Sequence, residues 1–119
     1  MREIVFVHQQ DFGKIHTLTA CVGLDGALVF DEDDCREGRG CEMDDYLAIH
    51  ARHKPAVLHH LVLAFDGISD TCGEHPDERL LCALQALADL GHWQSLGEIE
   101  AWLLERDIPF TKQHWPKVE

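Results

Sequence analysis

The chain has 119 residues, 45% of them hydrophobic, and carries 22 Asp+Glu against 10 Lys+Arg for a net charge of −12. That size and apolar content predict a single domain, residues 1–119, with a core of its own, and exclude a disordered chain. The excess of carboxylates disfavours direct nucleic-acid binding and contact with an anionic membrane, since both need cations from the protein.

The N-terminal "MREIVFVHQQD" has one basic residue, a short apolar run and no small-residue cleavage site, so a cytoplasmic location is expected. No apolar run approaches the roughly 18 residues needed to cross a bilayer. "REIVFVH" (2–8) is rich in branched and aromatic residues and predicts a strand, with a turn at "DFG" (11–13). In "IHTLTACVG" (15–23), Leu18, Ala20 and Val22 alternate with Thr17, Thr19 and Cys21, the period of a half-buried strand. Asp25-Gly26 is the pair favoured by type I′ hairpin turns, and "ALVFD" (27–31) supplies the returning strand.

Residues 31–45 carry Gly38 and Gly40 and no hydrophobic periodicity, which predicts a loop. "DYLAIHAR" (45–52) alternates again and predicts another strand. Pro55 suits the first turn of a helix whose stripe is Leu58, Leu61, Val62 and Phe65, ending near Gly67. After a loop at 69–76, Pro76, Asp77 and Glu78 open a second helix with Leu80, Leu81, Leu84, Leu87 and Ala88 as its stripe and Gly91 as its stop. Ser95 and Glu98 form a capping box for a third helix, roughly 96–106, striped by Leu96, Ile99, Trp102 and Leu103. Pro109 pushes Ile108 out of helical angles, and the segment beyond can add a C-terminal edge strand. Strands followed by helices predict an α+β fold: an antiparallel sheet of about four strands with three helices packed on one face.

Three stretches, "GLDGALVFDEDD" (23–34), "DDYLAIHARHKPAVL" (44–58) and "WLLERDIPFTKQHW" (102–115), resemble a family of small acidic bacterial proteins of uncharacterised function. That family's pattern is a hairpin, a DY-type strand, helices and a closing WLxExxIPFxxxxW. The resemblance implies a fold; it implies no activity.

The charge is concentrated. Asp31, Glu32, Asp33, Asp34, Glu37, Glu42, Asp44 and Asp45 stand against Arg36 and Arg39, so this segment holds −6, half the net charge. A lopsided surface of this kind suits a basic protein partner, because carboxylates imitate phosphates and steer encounter. These eight acids are therefore the expected partner-binding residues. The expected role is non-enzymatic: a protein that neutralises or regulates a basic partner such as a nuclease or toxin, as an immunity protein, an antitoxin or an inhibitor of a nucleic-acid-acting enzyme does.

The five cysteines are Cys21, Cys35, Cys41, Cys72 and Cys82. An odd number in a reducing compartment makes a disulfide the least expected use of them. Cys35-x5-Cys41 and Cys72-x2-His75 would together form a Cys3His set, so an alternative reading is an adaptor held by structural zinc; the first spacing is wider than zinc loops usually have. A second alternative is a small thiol enzyme using Cys72 with His75 ahead of a helix N-terminus, which lowers a thiol's pKa. Phosphate-loop, dinucleotide, zincin and nucleophile-elbow motifs are missing from the sequence, so no cofactor is expected. His50-x2-His53 and His59-His60 form a histidine-rich stretch expected to lie at the surface.

Overall fold

The computed structural model describes residues 3–36, 40–69 and 73–116, without the side chains of 36–44 and 114–116. It is an α+β fold in which five antiparallel strands lie in sequence order: β1 (Glu3–Asp11), β2 (Lys14–Val22), β3 (Leu28–Arg36), β4 (Gly40–Ile49) and β5 (Thr111–Pro116). Between β4 and β5 run three helices: α1 (Lys54–Ala64), entered through a single 3-10 turn at Ala51–His53, then α2 (Pro76–Asp89) and α3 (Leu96–Glu105). The segment after Pro109 does form an edge strand, paired to β4 with Lys112 opposite Leu47.

Period-two alternation decides which sheet face carries the helices. Ile4, Leu18, Leu28, Phe30, Leu47 and Ile49 are fully buried, whereas Val29, Asp31, Tyr46 and Ala48 between them are only half-buried. The helices contribute Val57 and Leu61, then Leu80, Leu84 and Leu87, then Leu96, Ile99 and Leu103. Each such side chain contributes about 1.5–3 kcal/mol relative to exposure. In α1 the buried positions are Val57 and Leu61, with Leu58, Val62 and Phe65 at the margin, one residue off the expected stripe. That helix is apolar nearly all round, with Leu63 69% exposed, so its periodicity defines the buried face poorly.

The β1–β2 and β2–β3 turns exchange the expected roles. Asp25-Gly26 is not a type I′ turn: only Gly26 has positive φ, the Gly26 N–H bonds the Gly23 carbonyl at 3.0 Å, and Asp25 Oδ1 accepts from the Ala27 N–H. This is a type I turn followed by a left-handed glycine. The two-residue turn lies between β1 and β2, where Phe12 (φ 51) and Gly13 (φ 76) are both left-handed and Asp11 faces Lys14. Phe12 is 97% exposed.

Helix ends follow the expected chemistry. Pro76 opens α2 with Asp77 and Glu78 in its first turn. Ser95 Oγ accepts from the Glu98 N–H at 3.3 Å, and Glu98 Oε2 accepts from the Gln94 N–H at 3.2 Å, a capping box displaced by one residue on its return arm. Lys54 Nζ meets Asp77 Oδ1 at 2.6 Å and ties the start of α1 to the start of α2.

Candidate functional site: the acidic end of the sheet

The acidic segment is not a loop. Residues 31–36 continue β3 and 40–45 begin β4, paired as Asp31 to Tyr46, Glu32 to Asp45, Asp33 to Asp44 and Asp34 to Met43. A loop was expected because hydrophobic alternation stops after Phe30. On the helix side the row passes from buried Phe30 to half-buried Glu32 and exposed Asp34, so polar residues replace apolar ones while the backbone ladder continues.

The pleat divides the acids. Glu32, Asp34 and Asp45 continue the row of Leu28, Phe30, Leu47 and Ile49, on the helix side of the sheet. Asp31 and Asp33 point to the open face, each half-buried with one carboxylate oxygen enclosed. Asp34 is exposed. Glu37 lies outside the described residues, as do the side chains of Glu42 and Asp44, so the expected contact surface is placed here through the remaining five acids.

Glu32 has a further task. Its Oε2 accepts a hydrogen bond from the Leu96 N–H at 3.2 Å and lies 3.1 Å from His16 Nε2 on β2. A carboxylate at the first turn of α3 is favoured by the helix dipole. The sequence reading missed His16; its position in the same alternation as Leu18 and Ala20 was the available signal. His16, Glu32, Asp34 and Asp45 border a small cavity of about 220 Å³, where one imidazole faces three carboxylates.

The cysteines depart from expectation. Cys35 is disulfide-bonded, and in the ladder it stands opposite Cys41. A disulfide was set last because of the odd count and the assumed reducing compartment; neither consideration sees that two strands bring residues 35 and 41 face to face. A disulfide sulfur offers no thiolate to a metal, so in this state Cys35 cannot serve in the Cys3His set. The Cys41 side chain and all of Cys72 lie outside the described residues, which leaves His75 as the described remainder of both the zinc set and the thiol pair. His75 is the N-cap residue of α2 and makes no side-chain cap bond there. Among the described residues no group of three or more His, Cys, Asp or Glu is arranged to hold a metal ion.

Cys21 and Cys82 are not in a disulfide. Cys21 lies on the open face, and burial, helped by the charges of Glu3 and Asp31, pushes its pKa up from the ordinary 9.0. That makes it a poor nucleophile at neutral pH. In the histidine stretch, His50 Nδ1 accepts from the Arg52 N–H at 3.1 Å and His53 Nε2 accepts from Arg52 Nε at 3.2 Å, so each ring spends a nitrogen on local structure.

Among the described residues no helix is long and apolar enough to cross a membrane. Comparison of the chain with protein-family models, with curated proteins and with solved structures finds no match.

Proposed function

We propose that this chain is a non-enzymatic binding protein whose acidic sheet end receives a basic protein partner, with the carboxylates standing in for the phosphates that partner otherwise meets. The observation that carries the reading is the β3–β4 register, which sets Glu32 across from Asp45 and Asp33 across from Asp44. Like charges directly opposite each other weaken a ladder. A surface shaped only for solubility would intersperse signs, whereas a surface shaped for a cationic groove gains from this density. Immunity proteins, antitoxins and inhibitors of nucleic-acid-acting enzymes are the roles that fit. Phe12 borders one cleft with Asp34 and adds an exposed aromatic ring beside that carboxylate.

The test is titration against a basic single-domain ribonuclease, first in dilute buffer and then in about 0.5 M salt, where the Debye length falls to a few ångströms. The expected result is salt-sensitive binding that is lost in an Asp33→Lys/Asp34→Lys variant and kept in an equally recharged Asp66→Lys/Glu74→Lys variant. Equal loss in both variants would leave only bulk charge and reject a specific acidic site.

A further inference from the structure

The pleat gives the sheet a second side, opposite the helices. There Val5, Thr19, Asp31, Tyr46 and Gln113 stand opposite one another in turn, one row across all five strands. With strands about 4.8 Å apart, that row is roughly 19 Å wide. The rows on either side of it carry Cys21, Val29 and Ala48, and Thr17 and Asp33. The helices pack on the other side, against Leu18, Phe30 and Leu47, so of the described elements none is left to cover this one. An uncovered face of an antiparallel sheet is ordinarily polar. Here Val5 is 46% exposed, and Cys21, Val29, Tyr46 and Ala48 are half-buried with no helix above them.

The pleat also sorts the charges. Lys14, in alternation with His16 and Leu18, lies on the helix side, and Lys112, opposite Leu47, reaches Glu100 of α3 there. The open face carries Glu3, Asp31 and Asp33 and, among the described residues, no lysine or arginine, with His8 at its β1 edge. Burial first, then the charges of Glu3 and Asp31, pushes the Cys21 thiol up, so a group set in this face meets a negative field. We infer, on the basis of the proposed function, that this open face is where the basic partner seats, meeting it with a flat surface whose lysines or arginines surround apolar side chains. Apolar residues with a tyrosine among them are the makings of an interface centre, and charge of a single sign selects and steers the partner. The helix side of the acidic end is the poorer seat, because Lys14 and Lys112 oppose an incoming cation there. A second copy of the chain is a poor occupant too. Face to face, it would set Glu3, Asp31 and Asp33 against their equivalents, and like charges brought together cost affinity.

Asp33→Lys/Asp34→Lys changes one residue on each face, so it reports on the acidic end and not on the side. The side is tested by adding one cation to either face of β1: Val5→Lys on the open face and Gln9→Lys, opposite His16, on the helix side, both at exposed positions. The probe is a cysteine-free basic ribonuclease. The expected result is binding weakened roughly tenfold by Val5→Lys and changed less than about twofold by Gln9→Lys. In the parent protein, saturating ribonuclease should block iodoacetamide labelling of Cys21 and leave labelling of Cys82 on α2 as it was. Equal or reversed effects of the two lysines, or Cys21 labelling that ignores the bound ribonuclease, would overturn the inference while the acidic end stands on its own test. Absence of salt-sensitive binding by the parent would reject the proposed function itself, and this seat with it.

Discussion

Glu32 and Leu96 are 64 positions apart in the chain, yet the Glu32 carboxylate accepts the Leu96 backbone N–H at 3.2 Å and so fastens the acidic half of β3 to the start of α3. The same oxygen stands 3.1 Å from His16 Nε2. Glu32→Ala should therefore destabilise the fold by about 1–2 kcal/mol, from the lost dipole contact and the unsatisfied N–H. Asp34→Ala, on an exposed side chain, should stay within about 0.5 kcal/mol of the parent. Denaturant titration of both variants checks this; equal losses would deny Glu32 its anchoring role.

Phe12 should be replaceable with gain. A type I′ position needs φ > 0, which asparagine tolerates and a bulky aromatic resists. Since the ring is 97% exposed, it returns little packing. Phe12→Asn should raise stability by about 0.5–1 kcal/mol, read as a higher melting temperature.

Cys21 should alkylate slowly at neutral pH, because its thiol is pushed above the ordinary 9.0 by burial first and then by the Glu3 and Asp31 charges. The sign for stability follows. A group whose folded form holds its proton longer than the unfolded chain does loses stabilisation as pH rises past the unfolded value. Folding should weaken slightly on the alkaline side and be untouched by Cys21 below it. Glu3→Gln and Asp31→Asn should each speed iodoacetamide labelling at a fixed pH; an unchanged rate would remove the charge effect.

Lys112 also holds its proton longer in the folded chain, but here the favoured form is the charged one. Its hydrogen bond to Glu100, 2.8 Å long, is the largest influence raising its pKa above 10.5. The stabilisation is fully present below the unfolded value of the ammonium and is lost only as pH climbs through the raised folded one. The pair is partly exposed, at 42% and 31%, so screening limits Lys112→Met to under about 1 kcal/mol, an effect that should shrink with added salt.

Peptide mapping under non-reducing conditions should place Cys35 in a crosslink with Cys41, the residue opposite it in the ladder. Metal content should track this bond. Oxidised protein should bind no stoichiometric zinc through Cys35, and only after reduction could a Cys3His set with Cys72 and His75 be filled. Zinc retained at full stoichiometry without reductant would contradict the disulfide. A bond that persists without added oxidant would also weigh against a reducing cytosol as the chain's home.

The helices were legible because each carries its own punctuation: Pro76 with two acids after it, Ser95 with Glu98, and Gly91 at a left-handed stop. The strand pattern was legible as far as Phe30 and from Tyr46 onward, where one face is dry. Between them the alternation vanished because half-buried carboxylates stand on both faces, and period-two reasoning, which reads apolar against polar, has nothing to follow there. The I′ turn at Phe12 was hidden because its first residue is the wrong type for the geometry it adopts. The aromatic cluster was beyond reach for another reason. Phe65 and Trp102 read as stripe residues of their helices and Trp93 lay between elements, and only the docking of three separate segments brings the three rings together.

Phe30 is sealed in the core, and Asp34 stands in water four residues further along the same strand, roughly 13 Å away. The charged stretch is thus cantilevered from the hydrophobic interior. An acidic loop would have to surrender backbone freedom at the moment of contact, roughly 1–2 kcal/mol for each residue it stilled. Asp31 to Asp34 have already surrendered it in folding, so whatever settles on them meets a surface prepared in advance.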